Sequence, residues 1–487
     1  MTVVRGGPER PAAFGLKENE VIEMSVLNAV MVPHPPLIIP QVGRGEETKI
    51  QDTIDAYRKA AVFIKEADPD TVLILTPHNV MYYDYFHVSP GSGADGDFSM
   101  FRAPEVTLHI EYDEELQERI SAFARENSFP AGTEGEKDPK LDHASLIPLL
   151  FLKEAYGEKP LPKAVRLSLS GRLLTEHYYW GMMLRDAADS LDRRISIIAS
   201  GDLSHKLLES GPYGFHEAGP EYDRKIMDVM SSADFGKLFQ FSDAFCESAA
   251  ECGHRSFTIM AGCFDRQKVR AEKLSYEGPF GVGYGVCLFT PGEEDDSRSF
   301  LDQEIREEAQ RHLEARENED AYARLARTSV ETWVYADRPA KVPADLPEEM
   351  LSEKAGVFVS IHMNGRLRGC IGTISPAADC IAQEIINNGI SACSRDPRFG
   401  KVTKEELPYL EYSVDVLGEA EPVSSMEDLD PQEYGVIVSR GERRGLLLPA
   451  LDGVDSVEKQ LEIARKKAGI REDEPYTIER FRAYRHV

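Results

Sequence analysis

Short apolar runs alternate with amphipathic stretches through the first half of the chain. Four of these runs are typical of buried strands, and they cover 26–32, 71–76, 164–169 and 194–200. Stretches with helical spacing of apolar residues separate them, the clearest being 47–67. A strand that is apolar at every position is buried on both faces. The pattern therefore predicts an α/β domain of three layers, with helices on both sides of a mostly parallel sheet.

A charged segment divides the chain into two parts. Residues 292–317 are dense in charge and poor in large apolar residues, which indicates a linker or a solvated helix. The preceding stretch, 278–289, predicts a final strand with a tight bend. Strands and helices follow one another in mixed order over 318–487, which predicts an α+β domain. We expect a first domain over 25–291, with residues 1–24 as a leader that is disordered or precedes a true start at Met24.

Composition narrows the classes of partner. The chain has 56 Lys and Arg against 84 Asp and Glu, a formal net charge of −28 at pH 7. Such a field repels phosphate backbones, so nucleic acid is not an expected partner. No apolar run reaches the roughly 18 residues of a membrane span. The seven cysteines include no C-x-x-C pair, which excludes a zinc ribbon and favours a reducing, cytoplasmic location.

Histidines follow three of the four predicted strands. His34 lies in VPHPP, His78 in LTPHN and His205 in SGDLSH. Ligands bind outside the carboxyl ends of strands in open α/β sheets, and the prolines beside His34 and His78 restrict the backbone there. A single histidine at a strand end is more often a hydrogen-bonding loop residue, but three in one domain predict a metal site. The other candidates are expected to be surface or structural residues: His87, His109, His177, His216, His312 and His486.

Two further segments carry candidate site residues ahead of apolar helices. Asp142 and His143 begin one of them, and Asp142 is suited to cap the helix while His143 is suited to line the cleft. Glu251 and Cys252 precede the other. The Glu251 carboxylate and two imidazoles would form a facial triad with open positions on Fe(II). Cys252 would instead supply a thiolate, which admits copper or zinc.

These segments resemble the class III extradiol dioxygenase superfamily (LigB-like), including its Memo-like branch, over about residues 25–290. The resemblance implies that His34 and His78 are metal ligands. It implies a third ligand at Glu251, as in ring-cleaving members, or at Cys252, as in Memo-like members. We favour Glu251, because an anionic oxygen keeps iron reactive towards dioxygen.

The resemblance also implies a reaction. Fe(II) is the expected metal, with zinc or copper as alternatives, and a catechol-type diol is the expected small-molecule substrate. His205 is the expected acid/base residue, and His143 is a second histidine of the cleft. From its position three residues earlier, Asp202 is expected either to orient His205 or to hold it as an imidazolium. A zinc-dependent hydrolase and a metal-binding protein without ring-cleaving activity are the competing interpretations.

The second half contains the dense motif LRGCIG at 367–372. Together with SRDPRF at 394–399 and RRGLLLP at 443–449, it resembles the AMME-region (AMMECR-type) family over about 318–487. The pairing of the two domains resembles the AmmeMemoRadiSam system, which implies a radical SAM protein as a partner. From the residues alone, Cys370 is a nucleophile candidate or a buried small hydrophobe. Arg368 is an anion-binding residue or a member of a structural ion pair.

Overall fold

A computed structural model of the chain describes residues 25–451 and 453–487. The predicted leader and the proposed start at Met24 lie outside the described residues. The chain forms two compact units, which divide between Glu304 and Ile305. This division falls inside the charged segment predicted to separate the domains.

The first unit is built around a six-stranded sheet of order β7-β2-β8-β1-β10-β9. Its strands are β1 (Val26–Val32), β2 (Thr71–Thr76), β7 (Lys163–Ser168), β8 (Ile195–Ser200), β9 (Gln267–Glu277) and β10 (Tyr284–Glu294). The first four strands named are mutually parallel, and β10 and β9 add an antiparallel edge. The predicted final strand is thus one arm of an antiparallel pair.

Helices cover both faces of this sheet. They are α1 (Pro40–Gly43), α2 (Gln51–Ala67), α3 (Glu114–Glu126), α4 (His143–Tyr156), α5 (Leu174–Asp189), α6 (Ala218–Ser232), α7 (Asp243–Ala249) and α8 (His254–Gly262). Because successive side chains of a strand point to opposite faces of the sheet, each strand contributes side chains to the core on both faces. Leu73 and Leu75 pack into the core with α3, α5, α6 and α8, while Val72 and Ile74 pack into the core with α2 and α4. The predicted three-layer, mostly parallel α/β fold is confirmed.

Short strands between β2 and β7 were not predicted from the sequence. They are β3 (Phe86–His87), β4 (Gly93–Phe98), β5 (Ala103–Glu111) and β6 (Ala131–Gly132). β4 and β5 form an antiparallel pair and β3 pairs with β6. The outward positions of β5 are polar and exposed, so no long apolar run marks it in the sequence.

The segment predicted as a linker or solvated helix contains the end of β10 and then α9 (Phe300–Asn318). The helical alternative is therefore the correct one. No helix among residues 25–451 and 453–487 has both the length and the apolar character needed to cross a bilayer.

The second unit contains two antiparallel sheets, of order β12-β11-β13-β18 and β14-β17-β15-β16. Its strands are β11 (Val357–Met363), β12 (Arg366–Gly372), β13 (Leu410–Leu417), β14 (Glu421–Pro422), β15 (Gly435–Arg440), β16 (Arg443–Leu447), β17 (Thr477–Phe481) and β18 (Ala483–His486). Its further helices are α10 (Ala321–Ala336), α11 (Glu348–Ser352), α12 (Ile381–Ser394) and α13 (Val457–Ala468). The helices α10 and α12 bury one face of the first sheet, and α13 packs on the second. The predicted α+β class is confirmed.

Candidate metal centre

His34 is held at the end of β1 by bonds to its backbone and to its ring. The Tyr57 hydroxyl donates to the Pro33 carbonyl at 2.7 Å, and the His34 amide donates to Asp202 Oδ1 at 2.7 Å. The ring is buried, with 1% of the residue exposed. Its Nδ1 lies 3.0 Å from Ser200 Oγ, and that hydroxyl donates its proton to the Ala144 carbonyl at 2.7 Å. Ser200 must therefore accept from Nδ1–H, which leaves the Nε2 lone pair of His34 free for a metal.

His78 approaches His34 from the end of β2. Its Nε2 lies 3.0 Å from His34 Nε2, and its backbone amide donates to Thr76 Oγ1 at 3.2 Å. Unlike His34, this residue is exposed, so the site opens to solvent on its side. The strand order explains the contact: β8 lies between β1 and β2, and all three strands end at the same edge of the sheet.

His143 completes the cluster from the first position of α4. Asp142 caps that helix, as predicted, by accepting from the Ser145 amide at 3.0 Å. Thr76 Oγ1 also donates to the Asp142 carboxylate at 2.7 Å, which ties the start of α4 to the end of β2. The His143 ring stacks on His78 with centroids 4.5 Å apart, and the edge of Phe101 packs against it.

The three imidazoles form a group with the spacing of metal ligands. One nitrogen from each of His34, His78 and His143 lies within 4.8 Å of the other two. Burial and the neighbouring rings lower the pKa of His34 well below its usual range, and they lower the pKa of His143 to about 4. Desolvation by the walls of the cleft also lowers the pKa of His78. All three rings are therefore neutral near pH 7, the form that binds a metal.

Asp202 and His205 lie in the loop after β8, as the sequence pattern suggested. His205 Nδ1 donates to the Ala250 carbonyl at 2.5 Å, which directs the bare Nε2 towards Asp202 Oδ2 at 3.9 Å. The same carboxylate oxygen lies 4.0 Å from His34 Nε2. Burial raises the pKa of Asp202 to about 7 and lowers that of His205. Asp202 thus lies between the acid/base candidate and the histidine cluster.

Glu251 and Cys252 occupy different places relative to the cluster. Cys252 Sγ lies 3.5 Å from His34 Nε2 and accepts from the Asp202 amide at 3.3 Å. Glu251, the favoured third ligand in the sequence-based prediction, instead accepts the His254 amide at 2.6 Å at the start of α8. The group of ligand atoms within 4.8 Å contains His143 and not Glu251. The physical reason is local: the carboxylate satisfies the free amide at the helix start, which leaves the adjacent thiol facing the cluster.

Two glycines allow the segments of Asp202 and Cys252 to cross. A Cβ on Gly201 would lie 2.2 Å from Gly253 Cα, and a Cβ on Gly253 would lie 2.4 Å from Phe257 Cζ. Only residues without a side chain fit at this crossing. The crossing brings the Cys252 thiol close to His34. In the sequence, the adjacent Cys252 and Gly253 are the feature that indicates it.

Arg166 was missed in the sequence, although it supports the site. This β7 residue is fully buried, and it donates to Ser89 Oγ at 2.7 Å and to the Lys140 and Asp138 carbonyls at 2.5 and 3.2 Å. Its Nη1 also lies 3.8 Å from Asp142 Oδ2. It therefore fixes the loop that leads to His143. The sequence feature that could have identified Arg166 is its position as a single arginine within an otherwise apolar strand, where a charged residue is rare.

The remaining histidines predicted to be surface or structural lie outside this cluster. His87 and His177 are buried, and the Nδ1 of each ring donates to a backbone carbonyl. His109, His216 and His486 contact polar groups near the surface. His312 lines a cavity in the second unit.

The motif LRGCIG forms β12 in the second unit. Arg368 is fully engaged: its Nε and Nη2 contact Glu406 at 2.6 and 3.2 Å, and its Nη1 donates to the Gly400 carbonyl at 2.9 Å. This matches the structural ion pair rather than an anion-binding residue. Cys370 is half-buried, so it is not a fully enclosed hydrophobe.

Comparisons with known proteins assign both units. Residues 28–287 match the family described as the catalytic LigB subunit of aromatic ring-opening dioxygenase, and residues 323–486 match the AMMECR1 family. A protein of Clostridium acetobutylicum is 39% identical over 471 residues, which cover 95% of this chain and 99% of that protein. A protein of Thermotoga maritima is 45% identical over 170 residues, which cover 34% of this chain and 98% of that protein. Protein PH0010 from Pyrococcus horikoshii, known from a crystal structure, is 30% identical in sequence. The match covers 34% of this chain and 88% of that protein, with a TM-score of 0.32.

Proposed function

The chain belongs to the family of the catalytic LigB subunit of aromatic ring-opening dioxygenases and carries an AMMECR1 domain after it, and from this premise we propose that its first unit opens a catechol-type ring with Fe(II) and dioxygen. The observation that carries the proposal is the spacing of the ligand nitrogens of His34, His78 and His143, all within 4.8 Å.

The donor set fits a divalent ion. The Ser200 hydroxyl fixes the tautomer of His34 with Nε2 free, and the depressed pKa values keep the rings unprotonated. His34 and His78 would hold the metal with His143, and Cys252 lies at ligand spacing from His34. When bound, Fe(II) supplies Lewis acidity and a binding position for dioxygen.

His205 moves the proton in this proposal. Its Nδ1 is tied to the Ala250 carbonyl, so only Nε2 is free to accept the proton of a phenol hydroxyl and to return it later. A pKa lowered by burial keeps the ring neutral, and hence basic, near pH 7. Asp202 is a positioning residue, because its carboxylate lies within 4 Å of both His205 and His34.

Metal content and oxygen uptake test this function together. We expect anaerobically purified protein to contain iron and to consume dioxygen when catechol is added. The His34→Ala and His78→Ala variants should lose iron and oxygen uptake, whereas His205→Asn should keep iron and lose uptake. Iron occupancy unchanged in both His34→Ala and His78→Ala would refute the metal site. A fully iron-loaded protein inert towards diols would refute ring opening.

A second candidate function is metal binding without ring opening, as in Memo-like proteins. The observation that favours it is the position of Cys252, whose sulfur lies beside His34 whereas Glu251 faces α8. A thiolate among imidazoles suits copper(I) or zinc. Native protein loaded with copper, and losing it in Cys252→Ala, would support this function. Native zinc with hydrolytic activity would instead support the hydrolase interpretation.

We also propose a radical SAM protein as a partner, on the resemblance of the domain pairing to the AmmeMemoRadiSam system. Co-purification of a tagged chain with a radical SAM protein from the same cells tests it. A tagged chain that recovers no such protein under anaerobic conditions would contradict it.

A further inference from the structure

A cavity of about 470 Å³ opens in the second unit, outside the metal centre. It lies beside residues 410–413 of β13, which have no partner in β18 because that strand pairs only with Val414–Leu417. Residues of α9, β11 and β18 also line its wall. Cavities of this size bind small molecules where a few polar groups converge on them.

His312 of α9 is a buried histidine in the wall of this cavity. Only 8% of the residue is exposed. Its Nδ1 atom lies 3.5 Å from Glu411 Oε1, but it makes no hydrogen bond within the part of the chain that the structure describes. Buried polar atoms are nearly always hydrogen-bonded, so the Nδ1 atom of His312 requires a partner in the cavity.

Glu411 presents a carboxylate to the same cavity. Its side chain is 46% exposed, and its one ion-pair contact among residues 25–451 and 453–487 is the contact with His312. His362 lies directly opposite Glu411 in the register of β11 and β13. Burial lowers the pKa of His362, against the opposing effect of Glu411, so the His362 ring is neutral near pH 7. The carboxylate is therefore available to a cationic group of a ligand.

An ammonium group suits both Glu411 and His312. It has three N–H donors and can donate to a carboxylate oxygen and to an imidazole nitrogen at the same time. The 3.5 Å between His312 Nδ1 and Glu411 Oε1 is short enough for one nitrogen to reach both atoms. The hydrogen bond to the carboxylate would be charge-assisted and hence among the stronger ones.

Arg485 of β18 gives the cavity a group that binds anions. Its Nε and Nη2 contact Asp415 at 2.9 and 3.1 Å, which leaves the Nη1 group for another acceptor. The Asp415 carboxylate is buried and holds the guanidinium in place, whereas the Arg485 side chain is 52% exposed. A ligand carboxylate can therefore bond Nη1 without breaking the ion pair.

The strand register puts Glu411 and Arg485 on one face of the sheet but at a distance from each other. Glu411 and Asp415 are four positions apart on β13, so their side chains share a face, and Arg485 lies opposite Asp415. Four residues of a strand span about 13 Å. Besides burial, the charge of Arg485 lowers the pKa of His362, which places the guanidinium within electrostatic reach of the strand position of Glu411. A ligand that contacts both must therefore carry its charges at opposite ends.

We propose that this cavity binds a small linear molecule with an ammonium group at one end and a carboxylate at the other, the chemistry of an ω-amino acid. Glu411 and His312 bind the ammonium group, and Arg485 binds the carboxylate. An α-amino acid, whose charged groups flank a single carbon, is too short to reach both. The site is independent of the function proposed for the first unit.

Equilibrium dialysis of the full chain against radiolabelled 6-aminohexanoate tests the site. We expect saturable binding of one molecule per chain. Hexanoate lacks the ammonium group and pentylamine lacks the carboxylate, so each should compete at least about tenfold more weakly than unlabelled 6-aminohexanoate. Glycine should also compete more weakly, because it cannot reach both ends. Equal competition by hexanoate or by pentylamine would overturn the two-charge recognition, and equal competition by glycine would overturn the assigned spacing.

Variants assign the binding to this cavity. Glu411→Gln should weaken binding about tenfold or more, because it removes the charge that meets the ammonium group. Glu419→Gln is the matched control, since Glu419 is an exposed glutamate of the same unit that does not line the cavity. Arg485→Lys should also weaken binding while it keeps a cation beside Asp415, and unchanged melting would show that the variants are folded. No saturable binding, or the same affinity in Glu411→Gln as in Glu419→Gln, would overturn the proposal.

Discussion

Ser200 Oγ accepts a hydrogen bond from His34 Nδ1 at 3.0 Å and donates one to the Ala144 carbonyl at 2.7 Å. A single hydroxyl thus connects β8, the imidazole after β1 and the first turn of α4. The Ser200 hydroxyl fixes both the tautomer and the orientation of the His34 ring. Both properties must be set for an imidazole to bind a metal.

Ser200→Ala should weaken metal binding by roughly 10- to 100-fold, as loss of a hydrogen bond behind a ligating histidine does. The measurement is an anaerobic iron titration. Ser196→Ala is the matched control, because Ser196 is equally buried in β8 and its hydroxyl has no hydrogen-bond partner among the described residues. Equal affinities for the two variants would show that Ser200 does not orient His34.

His143→Ala should lower iron occupancy, whereas Glu251→Gln should retain it. The reason is that a His143 nitrogen belongs to the ligand group while the Glu251 carboxylate bonds the start of α8. Glu251→Gln should instead cost about 1 kcal/mol of stability through the weakened helix start. Elemental analysis and urea unfolding measure the two effects. Iron lost from Glu251→Gln and kept in His143→Ala would restore the glutamate as the ligand.

Arg166→Met should destabilise the first unit by about 3–5 kcal/mol, because it leaves buried acceptors without their cation. The loop before α4 should loosen first, since Arg166 bonds the Asp138 and Lys140 carbonyls. Trypsin cleavage after Lys137 and Lys140, which are exposed, reports this loosening. Arg58→Met is the control, since the Arg58 side chain is 50% exposed. Equal cleavage of the two variants would contradict the role.

Gly201→Ala should abolish metal binding. It should also lower the free energy of unfolding by at least about 1–3 kcal/mol, the typical cost of adding atoms to a packed site. The added Cβ would lie 2.2 Å from Gly253 Cα, so the loops of Asp202 and Cys252 must separate. Gly400→Ala is the control, because no atom of residues 25–451 or 453–487 beyond its immediate chain neighbours lies within 4 Å of its added Cβ. Full iron binding in Gly201→Ala would mean that the crossing does not position the site.

Asp396 should stabilise the second unit in a pH-dependent manner. Hydrogen bonds from Arg398 lower the pKa of Asp396 from 3.8 to about 2. A carboxyl group with a lowered pKa contributes fully above its unfolded pKa, and the contribution, about 2 kcal/mol here, is lost as the pH falls through the folded value. The melting difference between the wild type and Asp396→Asn should therefore shrink between pH 4 and pH 2. Asp379→Asn, at a fully exposed side chain, should show no such trend.

Much of the frame of the first unit follows from sequence pattern. The predicted strands 26–32 and 71–76 coincide with β1 and β2, and those of 164–169 and 194–200 differ from β7 and β8 by one residue. Fully apolar strands are easy to recognise because both faces are buried. β5 was missed because its exposed positions are polar and its pairing with β4 depends on contacts outside the segment.

The candidate site was only partly foreseeable. Proline-flanked histidines at strand ends identified His34 and His78, and the capped helix start identified Asp142. The sequence favoured Glu251 over Cys252 as the third ligand. In the structure the Cys252 sulfur lies beside His34, whereas the Glu251 carboxylate accepts from the His254 amide. Which of these two adjacent side chains lies beside His34 depends on which one bonds the His254 amide at the start of α8. Sequence spacing does not determine that side-chain orientation.

The sequence by itself determined which strands are buried, where the chain divides, and which histidines follow strands, because hydrophobic periodicity and strand-end position are local properties. Only the tertiary structure decided that β8 lies between β1 and β2, and that a nitrogen of His143, rather than the Glu251 carboxylate, lies close to those of His34 and His78. Those outcomes depend on strand order, register and side-chain orientation, which are set by contacts between residues far apart in the chain.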